Sequence, residues 1–153
     1  MKSFFILVVS VVILFNYGIA QKEKNSIPLK KLQGTYQGFT SQDIGNSEVF
    51  YKTIFKIKIN KDNSVKGKSI FYDNQDSTQV LVVYNFEGNY QNSNQTLKLK
   101  EYEVVQKSKD WVFCFKEMPM AYVKENNRIE LRGTWTAKNC PNTGGKIRII
   151  KQR

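Results

Sequence analysis

The sequence predicts an all-β protein, an eight-stranded antiparallel up-and-down meander that closes into a barrel. From Gly34 onward, apolar and polar residues alternate with the period of two that is typical of half-buried strands. Clusters of Asn, Asp, Ser and Gly separate the alternating segments and predict turns, and no segment shows a convincing helical period. Closure is favoured because it removes the exposed edges of a long flat sheet. A two-sheet β-sandwich is the alternative, since alternation alone does not distinguish it from one curled sheet.

The first four strands are predicted at residues 34–41, 49–60, 65–72 and 80–90. In the second strand the odd positions, Phe55 among them, are predicted to be buried and the lysines to face outward. In the fourth strand the even positions, such as Tyr84, should face inward. Gly67 lies in the middle of the third strand and predicts a bend or a close backbone approach, which a closing barrel requires.

The last four strands are predicted at residues 95–107, 111–123, 128–137 and 146–151. Pro119 falls within the sixth of them. Because proline cannot donate to a sheet ladder, we expect that strand to be bulged or broken near Pro119.

The N-terminus reads as a cleavable secretory signal. Lys2 supplies the positive start, residues 4–15 form an apolar run interrupted by Ser10, and Gly18-Ile19-Ala20 supplies the small-x-small pattern before a cleavage point after Ala20. A membrane anchor is the alternative, but the apolar run is shorter than the roughly 20 residues that a spanning helix needs. We therefore expect residues 1–20 to be a signal peptide, residues 21–33 an extension and residues 34–153 one barrel domain. The expected location is the bacterial periplasm or the cell exterior, with no transmembrane segment after cleavage.

Cys114 and Cys140 are the two cysteines of the chain. An even pair in an exported domain is most simply a disulfide. If residues 124–127 turn a hairpin, the two cysteines lie about equally far from that turn and come to facing positions. Two free thiols are the alternative, which an oxidising compartment disfavours.

Charge and composition limit the classes of function. The formal net charge is +11, and it is +10 without residues 1–20 because Lys2 is the single charged residue among them. An exported basic protein is expected to meet an anionic polysaccharide, lipopolysaccharide or an acidic protein face rather than nucleic acid, although a lysine-rich solvated surface accounts for the same charge. The chain has no histidine, the commonest general base and metal ligand. We expect no enzyme, no cofactor, no metal site and no catalytic residue; a two-carboxylate mechanism through Glu101 and Glu103 stays formally open.

Three local features carry a family resemblance: Gly34-Thr35-Tyr36-Gln37-Gly38, Trp111-Val112-Phe113-Cys114, and Gly133-Thr134-Trp135 followed by Cys140 and Gly144. They resemble small secreted proteins of unknown function that are common in Bacteroidetes. More distantly they are similar to the calycin barrels, the lipocalins and avidins. Lipocalins normally open with Gly-x-Trp, whereas Tyr36 stands at the aromatic position here and no C-terminal helix is evident, so an avidin-like meander is the nearer analogy. The resemblance implies compartment and strand order and supplies no catalytic residues.

The barrel interior is the candidate ligand site. Its predicted inward-facing residues combine aromatic rings with a few polar groups, which is typical of small-ligand pockets. They are Tyr36, Thr53, Ser69, Tyr84, Glu101, Trp111 and Trp135. Ordinary core packing is the alternative, because aromatic residues at period two ordinarily pack a core and the interior of an eight-stranded barrel is commonly filled by side chains. The expected function is an exported, non-catalytic binding protein that holds a small apolar or aromatic ligand. A protein-interaction, accessory or inhibitor-like barrel with a filled core is the other class.

Glu101 stands out because it interrupts the inward-facing apolar series of Leu97 and Leu99. A buried carboxylate must be paired or protonated. Arg132 and Arg148 could be its partners in a suitable register, although simple alternation points both outward. A carboxylate at the rim of the barrel, facing water, is the alternative interpretation.

The second and third predicted strands carry a basic patch on their outer faces. It consists of Lys52, Lys56, Lys58, Lys66 and Lys68. Such a patch can bind an anionic cell-surface polymer. The alternative is a solvated face whose lysines discourage edge pairing with other chains.

Overall fold

A computed structural model describes residues 28–109 and 111–153. These residues form one short helix, α1 (Leu29–Leu32), and eight strands. The strands are β1 (Gly34–Ile44), β2 (Ser47–Ile59), β3 (Ser64–Tyr72), β4 (Val80–Gln91), β5 (Thr96–Lys107), β6 (Lys116–Glu125), β7 (Arg128–Ala137) and β8 (Gly144–Lys151). The predicted signal peptide, residues 1–20, lies outside the described residues.

The eight strands form one closed antiparallel barrel in which each strand pairs with its neighbour in sequence. Closure is made by β1 and β8, which pair from Tyr36 opposite Lys151 to Thr40 opposite Ile147. The predicted meander barrel is therefore confirmed, and the sandwich alternative is wrong because no pair of edges is left open.

Tight turns join the strands where residues tolerate a left-handed backbone. Gly45 has a φ of +59°, so β1 runs on to Ile44 and reverses within two residues, where the sequence predicted a longer loop. Asn126 and Asn127 have φ values of +47° and +62° at the turn between β6 and β7. Asparagine is among the few residues that adopt this conformation readily.

Alternating side chains fill most of the barrel. Phe55 and Phe86 are almost fully buried, and their ring centroids lie 5.8 Å apart. Gly67 makes this packing possible, because a Cβ atom there would lie 2.0 Å from the Lys56 carbonyl oxygen and 2.5 Å from the Phe86 ring. The close approach predicted at Gly67 is confirmed.

The helix α1, which the sequence did not predict, lies at one end of the barrel. Its Leu32 is fully buried, and the Tyr36 hydroxyl donates a 2.6 Å hydrogen bond to the Leu32 carbonyl oxygen. We call this end the base. At the other end, the mouth, lie the turns from β1 to β2, β3 to β4, β5 to β6 and β7 to β8.

The strand boundaries near the mouth depart from the predicted ones. β5 has register shifts opposite Val83/Tyr84 and Asn85/Phe86, which leave Tyr102 and Val105 as extra, exposed residues and end the alternation after Glu101. The predicted strand at 111–123 is wrong at its start, because residues 111–115 have no strand conformation and β6 begins at Lys116.

Pro119 leaves a gap in the sheet without ending the strand. The pairing of β6 with β7 lapses at Met118 and Pro119 and resumes in the same register at Met120. The pairing with β5 continues through Pro119 opposite Lys98. The missing N–H of Pro119 therefore interrupts the backbone hydrogen bonds to β7 but not the pairing with β5, as expected for proline in a sheet.

Cys114 and Cys140 form the predicted disulfide, with their Cα atoms 5.7 Å apart. It joins the segment before β6 to the turn between β7 and β8. No helix within residues 28–109 and 111–153 is long and apolar enough to cross a membrane.

Candidate functional site

The mouth of the barrel contains a cavity of about 350 Å³. Aromatic and other apolar side chains make up most of its wall, and few polar groups reach it. The lining residues are Thr40, Gln42, Ile44, Tyr51, Phe71, Tyr84, Trp111, Val112, Cys114, Lys116, Trp135, Cys140 and Thr143. This volume and lining match the range and composition of small-molecule sites.

Edge-to-face aromatic contacts set the shape of the cavity wall. Tyr51 and Trp111 have ring centroids 5.6 Å apart, and Phe71 and Tyr84 have theirs 5.8 Å apart. Trp135 completes the wall and donates a 2.7 Å hydrogen bond from its Nε1 to the Ser41 carbonyl oxygen. These geometries are the favourable ones for ring pairs, so the wall is built without help from a ligand.

Residues 111–115, which we call the mouth segment, cover one side of the cavity. The disulfide holds this segment to the turn after β7. Asn139 clamps it again, because its side chain accepts a 2.8 Å bond from the Phe115 N–H and donates a 3.2 Å bond to the Phe113 carbonyl oxygen. A segment outside the sheet is thereby fixed over the opening.

A buried ion pair forms the floor of the cavity. Lys116 Nζ lies 3.3 Å from Glu101 Oε2, and the two side chains are 8% and 0% exposed. Glu101 also accepts a 2.6 Å bond from the Ser69 hydroxyl and a 3.1 Å bond from the Lys116 backbone N–H. The carboxylate thus has a donor on each oxygen, as a buried charge requires.

Three aromatic rings surround the ammonium group of this pair. Lys116 Nζ lies 4.1 Å from the centroid of Phe71, 4.5 Å from that of Tyr84 and 5.4 Å from that of Trp135. It also donates a 3.4 Å hydrogen bond to the Cys114 carbonyl oxygen. The rings face a cation that the protein itself supplies, so this cage does not select a cationic ligand.

Burial shifts the acid–base equilibria of the floor. Desolvation raises the pKa of Glu101, and the ammonium of Lys116 opposes that shift. Desolvation likewise lowers the pKa of Lys116, against the attraction of Glu101. Desolvation, with the Glu101 charge adding to it, raises the pKa of Tyr84 and keeps its hydroxyl protonated.

Two buried polar atoms at the cavity have no hydrogen-bond partner in the described part of the chain. They are the Tyr84 hydroxyl and Trp111 Nε1. The Trp111 indole and the Cys114 backbone lie close enough to the Tyr84 hydroxyl to oppose the rise of its pKa, but neither contact reaches hydrogen-bond geometry. An unpartnered buried donor costs about 1–3 kcal/mol, so both atoms are sites where a ligand can gain affinity.

The predicted interior residues separate into three groups. Tyr84, Trp111 and Trp135 line the cavity. Ser69 and Glu101 lie beneath the cavity, where Ser69 hydrogen-bonds Glu101 and Glu101 pairs with the lining residue Lys116. Thr53 lies behind the wall, with its hydroxyl 3.3 Å from that of Thr40. Tyr36 is at the base, bonded to Leu32, and does not line the cavity.

Sequence reasoning missed Lys116, the partner of Glu101. The signal was available, because Lys116 shares the parity of Met118 and Met120 and therefore interrupts an inward-facing apolar series as Glu101 does. The arginines considered as partners of Glu101 lie outside the barrel, as simple alternation indicated. Glu101 is thus a buried carboxylate, and the rim interpretation is wrong.

The two arginines hold a different carboxylate on the outer surface. Glu130 Oε1 accepts hydrogen bonds from Arg132 Nε and Arg148 Nε, the second at 2.6 Å. The Glu130 side chain is only 7% exposed. These arginine contacts lower the pKa of Glu130 to about 2. This cluster stabilises the join between β7 and β8 and is remote from the cavity.

The basic patch lies on the outer face of β2 and β3. Lys56 is directly opposite Lys68 and Lys58 is directly opposite Lys66, so like charges meet in two cross-strand pairs. None of these four lysines forms an ion pair with any described residue. Lys52 lies apart from them, with its Nζ 5.2 Å from the Tyr72 ring centroid.

The second carboxylate considered for catalysis lies on the outside of the barrel. Glu103 is exposed and accepts a 2.6 Å hydrogen bond from the Asn85 side chain, because the register shift after Glu101 turns it outward. Glu101 and Glu103 therefore do not face one substrate. Among residues 28–109 and 111–153, no group of three or more acidic or cysteine side chains is placed to hold a metal ion.

No protein-family model matches this chain, and no curated protein sequence matches it.

Proposed function

We propose that this protein is a non-catalytic binding protein that holds one small, mostly apolar ligand in the cavity at the barrel mouth. The observation that carries the proposal is an aromatic-walled cavity of about 350 Å³ beside two buried polar atoms without partners. A barrel that acted through its outer surface alone has no need of such a cavity, because eight strands can be filled by side chains. The base of this barrel is filled in that way.

The rigidity of the cavity supports the same function. The disulfide and the Asn139 clamp fix the mouth segment before any ligand arrives. A preformed site avoids the ordering cost that weakens binding by flexible loops. The ion pair of Lys116 and Glu101 is satisfied internally, so it shapes the floor without demanding a counter-ion from the ligand.

Titration with N-phenyl-1-naphthylamine, a neutral fluorescent aromatic probe, tests the proposal. We expect one-to-one binding that quenches intrinsic fluorescence, because both tryptophans of the chain line the cavity. The variant Trp111→Ala removes one wall and should weaken binding up to roughly tenfold, since an aromatic contact contributes about 0.5–1.5 kcal/mol.

Phe50→Ala is the matched control, because Phe50 is an aromatic residue on the outer face that is 54% exposed. It should bind the probe as the unmodified protein does. Native mass spectrometry of protein purified from its own host should show a co-purifying small molecule. The proposal would be contradicted if the protein carries no such molecule and does not bind the probe. It would also be contradicted if the Trp111→Ala variant binds the probe as tightly as the unmodified protein does.

We also propose that the chain is exported. The charged start, apolar run and small-x-small pattern of residues 1–20 support this, and so does a disulfide, which persists in oxidising compartments. Edman sequencing of the protein recovered outside the cytoplasm of its host should begin at Gln21. Recovery from the cytoplasm with Met1 intact would contradict export.

The lysines on β2 and β3 favour a second function, binding of an anionic polymer. Like charges placed directly opposite each other are destabilising, and a polyanion on this face relieves that repulsion. Affinity for dextran sulfate, a sulfated polysaccharide used as the probe, should fall steeply between about 0.01 M and 0.15 M salt because the Debye length shortens. Replacement of Lys56 and Lys68 by Gln should weaken this binding, and binding insensitive to salt would contradict it.

A further inference from the structure

The two unpartnered atoms of the cavity specify part of the ligand. We propose that the ligand presents a neutral carbonyl oxygen, as in a ketone, amide, ester or quinone, to Trp111 Nε1 and the Tyr84 hydroxyl. This inference rests on the proposed function and names the chemical class of its ligand.

The hydrogen-bonding character of the two atoms requires an acceptor. Trp111 Nε1 is a donor only, and the Tyr84 hydroxyl, which burial keeps protonated, has a proton to donate. The two groups are neighbours, and the contact between them falls short of good hydrogen-bond geometry. One oxygen with two lone pairs, seated between them, satisfies both.

The other indole of the cavity, that of Trp135, has a hydrogen-bond partner for its N–H group. Trp135 Nε1 donates its proton to the Ser41 carbonyl oxygen at 2.7 Å. Trp111 is only partly buried, but its Nε1 is buried at the cavity wall, and no described carbonyl occupies the matching place. A ligand carbonyl supplies the equivalent partner.

The charge balance of the floor requires that the acceptor be neutral. Among residues 28–109 and 111–153, Lys116 is the single charged residue that lines the cavity, and its ammonium is already paired with Glu101 at 3.3 Å. A ligand carboxylate would add a third buried charge, with no free cation among the described lining residues to match it. Removing an ion from water without a partner costs several kcal/mol, more than two hydrogen bonds return.

The experiment compares three ligands that share one ring system: 2-acetylnaphthalene, 2-ethylnaphthalene and 2-naphthoate. Their dissociation constants are measured by tryptophan quenching at pH 7 for the full chain and for Trp111→Phe and Tyr84→Phe. Both variants keep an aromatic ring and remove the donor. The ethyl compound is the internal control, because its affinity for each variant reports any change in the shape of the wall, and the ratio of the acetyl to the ethyl affinity isolates the hydrogen bond.

We expect the unmodified protein to bind the acetyl compound at least tenfold more tightly than the ethyl compound, and more tightly than the carboxylate. Each variant should lose most of that preference, measured as the ratio of its affinities for the acetyl and ethyl compounds. Equal affinities for the acetyl and ethyl compounds would overturn the carbonyl assignment and leave the binding function standing. Tightest binding of 2-naphthoate would overturn the requirement for neutrality. Binding of none of the three would overturn this inference together with the proposed function.

Discussion

Replacement of Lys116 by Met should destabilise the barrel by about 3 kcal/mol at pH 7. At the observed 3.3 Å between Lys116 Nζ and Glu101 Oε2, and an effective dielectric constant of about 20, the attraction is about 5 kcal/mol. Losing one partner of a buried pair typically costs about 3–5 kcal/mol. The lower end is expected because the Ser69 hydroxyl and the backbone N–H of residue 116 still donate to Glu101.

The sign of the pH dependence identifies the group responsible. Without the ammonium, desolvation raises the pKa of Glu101 further, so the folded state holds a proton that the unfolded state releases above about pH 4.3. The stability of Lys116→Met should therefore fall as pH rises from about 5 to 8. Urea denaturation followed by far-ultraviolet circular dichroism measures this free energy without relying on the tryptophans beside the cavity.

A matched control comes from an exposed pair. Lys138 Nζ lies 3.0 Å from Glu117 Oε1, but the two side chains are 83% and 37% exposed. Lys138→Met should cost less than about 1 kcal/mol. The double variant Lys116→Met with Glu101→Leu should recover most of the lost stability, because it leaves no unpaired charge. A loss for Lys116→Met no greater than that for Lys138→Met, or a double variant that is the least stable of the set, would contradict a stabilising role for the buried pair.

Three further changes test the other supports of the fold. Glu130→Gln should lower the free energy of unfolding by about 2 kcal/mol above pH 5, because the arginine contacts lower the pKa of Glu130 to about 2. The unmodified protein should lose the same contribution as pH falls from about 5 toward 2. The urea midpoints of both proteins across that pH range check this expectation. Replacing Cys114 and Cys140 together by Ser should cost about 3 kcal/mol for a loop of 26 residues and weaken probe binding, and unchanged binding would show that the mouth segment holds its place unaided. Gly67→Ala should cost roughly 1–3 kcal/mol because its Cβ would overlap the Lys56 carbonyl oxygen, and a wild-type melting temperature would contradict that packing.

The sequence was sufficient for the architecture because each strand is half buried. On β2 the odd positions from Thr53 to Ile59 are buried and Lys56 and Lys58 are exposed, as the alternation predicted. A shift of one residue would turn every such side chain to the wrong face, so the register is strongly specified. The disulfide followed from the same reasoning, since the hairpin of β6 and β7 brings its two cysteines together.

The candidate site was only partly predictable, because it lies where the alternation ends. Alternation placed Glu103 beside Glu101 on the inner face, but the extra residue Tyr102 turns Glu103 outward. A bulge leaves no signature in a period-two pattern. Trp111 lines the cavity, but it was predicted as a strand residue and lies instead in a segment held by side-chain and disulfide contacts.

The cavity is created by two features that the period-two pattern did not predict, the register shifts of β5 and the mouth segment outside the sheet. Extra residues in β5 carry the end of that strand away from β6, so the pairing of the two strands extends only to Lys100 opposite Glu117. The chain before Lys116 is then free of the ladder and crosses the mouth, where it brings Trp111 over the opening. A regular β5 would pair with residues 111–115 and extend the wall as sheet. Bulges near a barrel rim commonly redirect side chains in this way. Deletion of Tyr102 and Val105 together should therefore restore the register and abolish probe binding while the circular dichroism spectrum of the barrel persists.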